Sequence, residues 1–539
     1  MNYIASLVRR LRPDRIIYVF GCLVVLVSAF GPLVYLSLHA PAGTQYRFAD
    51  GFFSDYYHYL MKIKSGMMGH VGYYNRYTEI PQPVSYGHAL FAIMGYVSGG
   101  VGLYRADIVY LISRVATLLF LFTVVYRVTT KFFHLALYRI AVFFLFFTGT
   151  SGYTIVHATT GLRAVEPITF SGFYNALQKF PAPPHHLLAS TLLLLIAGVV
   201  LGGQRGVRKY IYIAVSAFVI GMLQPFIGIV GVLSFGFVFC FYFIFDRQKA
   251  LKAFIQISVF VLASALPILY YAYLFGHVLP WTIWAQTTFG YNYQTDFLGY
   301  IVANIVYVPF VLLLIPVMKK LPPFFLFLLG WGAVIPTALY PFAARGTLLS
   351  LPRLLQVQQY IPLSLLSGYG IWQALHRYGH RTQRFVTGIL VILMVGFAAL
   401  PWQTTIADSF TWKQPGYYNV FIPNDFIDAM NYLELHTQSE SVVLTGEYMS
   451  AVIPAFTHNR VILGRGDVVS DYGAKLRGMY AVFGPNPEPI FIKKYLDTYR
   501  ISYVIFGTDT PSFDPLYSKF PFFQPIFSKG NVTVAKVLR

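Results

Sequence analysis

Eleven apolar runs of membrane-spanning character, at 16–38, 108–126, 133–149, 186–202, 210–223, 226–245, 253–275, 298–318, 322–342, 356–375 and 385–401, leave this chain little choice of fold. A helix needs about 20 mostly apolar residues to cross a bilayer core of about 30 Å. Within that core, only helices and closed barrels satisfy their own backbone polar groups. Composition agrees: 56% of the 539 residues are apolar and 11% are charged, well under the share of about 25% charged in soluble domains. The sequence therefore predicts an α-helical polytopic membrane protein with about 11 transmembrane helices over 1–401. A small α/β domain over 402–539 follows, with short β-branched runs alternating with helical stretches near 425–437, 447–456, 472–482 and 488–499.

The net charge of +20 suggests an anionic partner until its placement is considered. Residues 1–401 hold 28 Lys/Arg and 8 Asp/Glu, whereas 402–539 hold 12 of each. The excess lies between apolar runs, which argues for a membrane and against nucleic acid. If the Gly-rich segment 86–103 is re-entrant or interfacial rather than spanning, 17 of the 28 basic residues fall on one side, among them Arg9, Arg10, Arg12 and Arg15. The positive-inside rule makes that side the cytoplasm, with the N-terminus inside and the tail outside. Asp50, Asp55, Glu79, Asp107, Glu166 and Asp296 then lie on the outer side, mostly in loops 39–85, 150–185 and 276–297. Cys22 and Cys240 sit in apolar runs and suggest no disulfide framework. The first run shows no small-residue cleavage site and reads as a retained signal anchor.

The first outer loop carries the most chemistry. Phe53, Tyr56, Leu60, Ile63 and Met67 form one apolar helical stripe, with Asp55, Tyr59 and Lys62 on another face, the pattern of a helix lying along a membrane surface. A carboxylate in a first helical turn, with Ser54 as its cap, is an ordinary structural feature. Yet Asp50 and Asp55, with Glu79 and the run Tyr73-Tyr74-Asn75-Arg76-Tyr77, also supply a base and flat aromatic surfaces, as sugar chemistry requires.

This organisation, with Ser54-Asp55-Tyr56-Tyr57, Tyr59-Leu60, Gly66 and Tyr77-Thr78-Glu79, resembles the GT-C superfamily of polyprenyl-phosphate-dependent membrane glycosyltransferases, in its bacterial-type members. The resemblance implies transfer of a hexosyl or pentosyl group, with inversion, from a polyprenyl-phosphate-sugar donor to a glycan, lipid or protein acceptor at the cell envelope. A prokaryotic plasma membrane is the expected location. It makes Asp55 the base and Asp50 the second carboxylate, with a divalent ion such as Mg2+ or Mn2+ left open because the loop has no adjacent acidic pair. The tail lacks a Trp-Trp-Asp motif, which argues against oligosaccharyltransferase activity.

A phosphate leaving group needs donors to absorb developing charge. Arg345 and Arg353 are the candidates for it, followed by Gln356, Gln358 and Gln359; Tyr59, Glu79, Glu166, His185 and His186 are candidate substrate contacts. The same arginines also suit lipid headgroups, and the adjacent histidines suit capping. Arg114 and Arg139 fall inside apolar runs, the first facing a cavity or pairing with Asp107, the second snorkelling. Gly464-Arg465-Gly466 is too short for a phosphate-binding fingerprint. A transporter or lipid flippase is the rival reading, although no inverted repeat is visible.

Overall fold

The computed structural model describes residues 13–49, 53–149, 153–158, 161–165, 176–201, 206–289, 301–302, 304–342, 358–411, 420–486, 488–514 and 516–539. The chain divides into two compact units, one of residues 1–31, 114–270 and 289–408, the other of 32–113, 271–288 and 409–539.

Among the described residues, five helices are long and apolar enough to cross a membrane: Pro13–Leu38, Ala106–Phe132, Pro225–Phe245, Arg247–His277 and His380–Phe410. Shorter apolar helices include Ala136–Thr148 and Pro184–Val200. The expected span at 298–318 is not one continuous helix. Its described part holds a single turn, Val308–Leu312, and a 3-10 stretch, Ile315–Lys320. Pro309 and Pro316 each stand at the start of one of these pieces, where a missing N–H ends any preceding helical ladder.

In the first unit, Arg139 does not snorkel as the sequence suggested. It is buried, with Nε 2.7 Å from Asp14 Oδ2 and Nη1 donating to the carbonyls of Phe133 and His134 at 3.0 and 2.9 Å. A charge in an apolar setting is tolerable when it is paired in this way. Arg114 Nε donates to Pro181 O at 2.8 Å, and its guanidinium lies 5.6 Å from the Phe30 ring centre.

The second unit joins the loop 39–85 to the tail. Strand Thr44–Tyr46 pairs antiparallel with Phe421–Pro423, Tyr46 opposite Phe421. The loop helix forms at Phe53–Met67; Tyr56, Leu60 and Ile63 of its apolar stripe are buried, but so are Tyr59 and Lys62 of the face expected to be polar, so it is packed within the protein on both faces. It is crossed by helix Ala89–Gly100, which occupies the Gly-rich segment. A Cβ on Gly66 would lie 2.0 Å from Ala92 O, and one on Gly95 1.9 Å from Ile63 O. Glycine at the crossing is therefore what lets the two backbones meet. Twelve residues at about 1.5 Å each make that second helix about 18 Å long, short of a 30 Å core.

The tail carries a five-stranded sheet in the order Arg460–Val461, Val442–Leu444, Tyr503–Phe506, Val532–Val537, Phe523–Lys529. The first three strands are mutually parallel and the last two run antiparallel. The core on this sheet is built from Leu444, Leu463, Val482, Leu496, Val504, Phe506 and Tyr517. Helices Asn424–His436, Tyr472–Val482 and Pro489–Thr498 lie within a residue or two of the stretches expected from the sequence. The strand Phe523–Lys529 was not expected. It contains Pro525 and lies at the sheet edge, where a residue without an N–H is tolerated.

Candidate active site

Residues 73–82 of the first loop are fastened along the tail by their backbone and by three buried cations. Arg76 is fully buried and donates to Pro454 O at 2.5 Å, to Met61 O at 3.3 Å and to Thr457 O. Burial draws its guanidinium down to about 10, against the opposing pull of Glu440 and Glu434. Arg460 donates to the carbonyls of Thr78 and Ile80 at 3.2 Å and pairs with Glu440. Lys475 meets Glu79 at 2.7 Å. Val461 N donates to Arg76 O at 3.0 Å, Asn75 Nδ2 to Val468 O at 3.2 Å, and Tyr77 OH to Ala451 O at 3.1 Å.

This register sets the tail segment Gly464-Arg465-Gly466 against the loop helix. A Cβ on Gly464 would stand 1.8 Å from the Tyr77 ring, so only glycine allows the backbone to press on that ring. Arg465, in an extended conformation, then reaches Asp55. Its Nη1 contacts Asp55 Oδ1, while Nε and Nη2 face Oδ1 and Oδ2 of Asp467 at 2.5 and 2.6 Å. Burial works against the guanidinium charge, but Asp55 and Asp467 together outweigh it and hold Arg465 above its ordinary value. The Asp55 side chain is 39% exposed and that of Arg465 15%, so the carboxylate is held yet open to solvent.

Behind this pair lies Lys62, 1% exposed. Its Nζ is 2.9 Å from His88 Nδ1 and 4.6, 5.4, 5.8 and 5.9 Å from the ring centres of Tyr73, Tyr59, Trp281 and Phe91. Burial pushes the Lys62 amine well below the usual lysine value, reinforced by Arg465 and opposed by Asp55 and Asp467. Burial, then Lys62 and Arg465, holds the His58 imidazole well below its ordinary value and therefore neutral. Trp281 Nε1 donates to Ser85 Oγ at 2.8 Å.

Of the residues singled out in the sequence, Asp55 and Tyr59 lie at or beneath this cluster. Tyr59 is buried and stacks on Phe91 at 4.5 Å and on Tyr110 at 5.8 Å, and Glu79 is engaged with Lys475. Asp107 is matched by Arg105 at 2.5 Å and Arg47 at 3.8 Å. His185 and His186 begin helix Pro184–Val200 in the first unit, both buried, with His186 Nδ1 3.0 Å from Gln224 Nε2. Gln358 and Gln359 are buried. Asp50, Glu166, Arg345, Arg353 and Gln356 lie outside the described residues. Arg465 and Asp467 were missed as functional groups, because Gly464-Arg465-Gly466 was tested only as a nucleotide motif. The available signal was an arginine set between glycines, with an acid two residues on.

Among the described residues, no group of three or more His, Cys, Asp or Glu side chains could hold a metal ion. The carboxylates of Asp55 and Asp467 bind one guanidinium between them. This described donor set does not fit a divalent cation.

No family profile and no curated protein matches the chain by sequence. Solved structures do match. The oligosaccharyltransferase AglB of Archaeoglobus fulgidus, in complex with an inhibitory peptide and a dolichol-phosphate, aligns over 92% of this chain and 69% of its own, at 11% identity and a TM-score of 0.54. An Archaeoglobus fulgidus oligosaccharyltransferase in complex with Zn and sulfate aligns over 91% and 68%, at 12% identity and a TM-score of 0.53. ArnT of Cupriavidus metallidurans bound to undecaprenyl phosphate aligns over 96% and 97%, at 12% identity and a TM-score of 0.50. The chain shares its fold with these structures.

Proposed function

We propose that this protein is an integral membrane glycosyltransferase that moves a sugar from a polyprenyl-phosphate-linked donor to an acceptor hydroxyl on the extracytoplasmic face. The observation that carries this reading is the half-open carboxylate of Asp55, held by Arg465 of the tail, on a GT-C fold. Asp55 takes the proton of the acceptor hydroxyl as its oxygen attacks the anomeric carbon. The bond from that carbon to the phosphate oxygen breaks, the electron pair leaves with the lipid phosphate, and a single displacement inverts the configuration. Arg345 and Arg353 steady the departing phosphate, and Asp50 supports the base. Glu166, His185 and His186 contribute to the acceptor or donor pocket. The N-terminus is cytoplasmic and the tail extracytoplasmic. The acceptor is a glycan, lipid or protein hydroxyl. No step is assigned to a metal.

The test is transfer by the purified full chain in lipid nanodiscs, using a panel of polyprenyl-phosphate sugars. Asp55→Asn, which keeps shape but cannot accept the proton, is expected to slow transfer by about 10²–10⁴-fold. Transfer by Asp55→Asn at the unmodified rate overturns the assignment.

A further inference from the structure

Arg465 does not divide its donors evenly. Nη2 donates to Asp467 Oδ2 at 2.6 Å, and Nε stands 2.5 Å from Asp467 Oδ1 as an ion-pair contact. Asp55 is met by Nη1, which contacts its Oδ1. Asp467 is the neighbour two residues away on the same segment and its side chain is 17% exposed, against 39% for Asp55. Between them the two acids fix one end of the guanidinium and leave the other end on a partner that water already reaches. The backbone cannot carry Arg465 away, because Gly464 is pressed on the Tyr77 ring and Val468 N donates to Arg465 O at 3.1 Å. While Nη1 rests on Asp55, one carboxylate oxygen of the base is paired with a cation.

Resting on the transferase reading above, we propose that Arg465 is a ligand of the donor phosphate that exchanges partners: Nη1 passes from Asp55 to a phosphate oxygen of the polyprenyl-phosphate donor, while Nε and Nη2 stay on Asp467. The donor's phosphodiester carries one negative charge, as a carboxylate does, and its two non-ester oxygens offer an arrangement that an arginine fork matches. The exchange uncovers Asp55 only once the donor is in place. Arg465 acts on Asp55 as a positioning residue and touches the substrate through its phosphate.

This exchange makes Asp55 and phosphate competitors for one N–H group, and that competition can be measured without turnover. Binding of undecaprenyl phosphate and of dolichyl phosphate is measured on the full chain in detergent, for the unmodified protein, Asp55→Asn, Arg465→Gln and the double variant. Arg465→Gln is expected to weaken binding at least tenfold. Asp55→Asn is expected to tighten it about fivefold, and that gain is expected to vanish in the Arg465→Gln background, since coupled residues are not additive. Equal tightening in both backgrounds shows that Asp55 merely repels the phosphate, and it overturns the exchange. So does unchanged affinity in Arg465→Gln. If Arg465→Gln does not fold, Arg465→Lys takes its place. It keeps the charge but cannot span both carboxylates, and the gain from Asp55→Asn should then fall below twofold, with a retained fivefold gain counting against the exchange. An unmodified protein that binds neither lipid phosphate sinks the transferase reading itself, whereas binding without the coupling sinks only the exchange.

Discussion

Lys62 carries an amine into an aromatic cage, with His88 Nδ1 as its hydrogen-bond partner among the described residues. Its proton is held less firmly in the folded chain than in the unfolded one, and the same is true of His58. Between the lowered value of Lys62 and its ordinary 10.5, the unfolded chain binds the proton and the folded chain does not, so stability rises with pH across that window. For His58 the loss comes as pH falls below about 6.5, where only the unfolded imidazole is charged. Lys62→Met fills the cage without an amine to desolvate. It is expected to raise stability by about 1 kcal/mol near neutral pH and to flatten the rise of the melting temperature between pH 7 and 10. Thermal melts across that range check both, and an unchanged slope counts against a depressed Lys62. Asp55 was legible in the sequence from its place in an amphipathic loop helix. Arg465 was not, because its partner is 410 positions away and no local pattern announces such a pairing.

The crossing of helices Phe53–Met67 and Ala89–Gly100 rests on two glycines. Gly95→Ala places a methyl group where Ile63 O already stands, and it is expected to cost about 1–3 kcal/mol by forcing the helices apart. Gly100→Ala, with nothing within 4 Å of its Cβ, is the matched control and is expected to leave the melting temperature unchanged. Equal melting temperatures for the two variants remove the crossing from the account. At this scale the sequence was most readable where period and burial agree. The helices of the tail follow directly from spacing, and the strand Val532–Val537 has the bounds expected of it, whereas the loop helix buries Tyr59 and Lys62 of its expected polar face as well as the middle of its apolar stripe. The two-strand pairing of 44–46 with 421–423 was not readable, since three residues are too few to show alternation and their partners lie a whole membrane domain apart. The run 298–318 misled because hydropathy counts apolar side chains and ignores the two prolines that interrupt the backbone.

That short pairing has a consequence for the molecule as a whole. The strands 44–46 and 421–423 share one backbone ladder, Gln45 opposite Ile422 and Asn424 N donating to Gly43 O at 2.8 Å, and no chain can do so through a bilayer. Whatever the number of crossings between them, it is even: the path leaves one compartment and is obliged to come home to it. Parity is thus written into three residue pairs rather than into hydropathy. In a background of Cys22→Ser and Cys240→Ser, the exposed positions Ala42 and Ser439, each replaced singly by cysteine, are expected to react with a membrane-impermeant maleimide from the same side of intact cells. Labelling from opposite sides disproves the pairing. An insertion or deletion that adds or removes a single crossing anywhere between these strands would strand Arg465 on the far side of the bilayer from Asp55, so gain or loss of crossings in this chain is constrained to pairs.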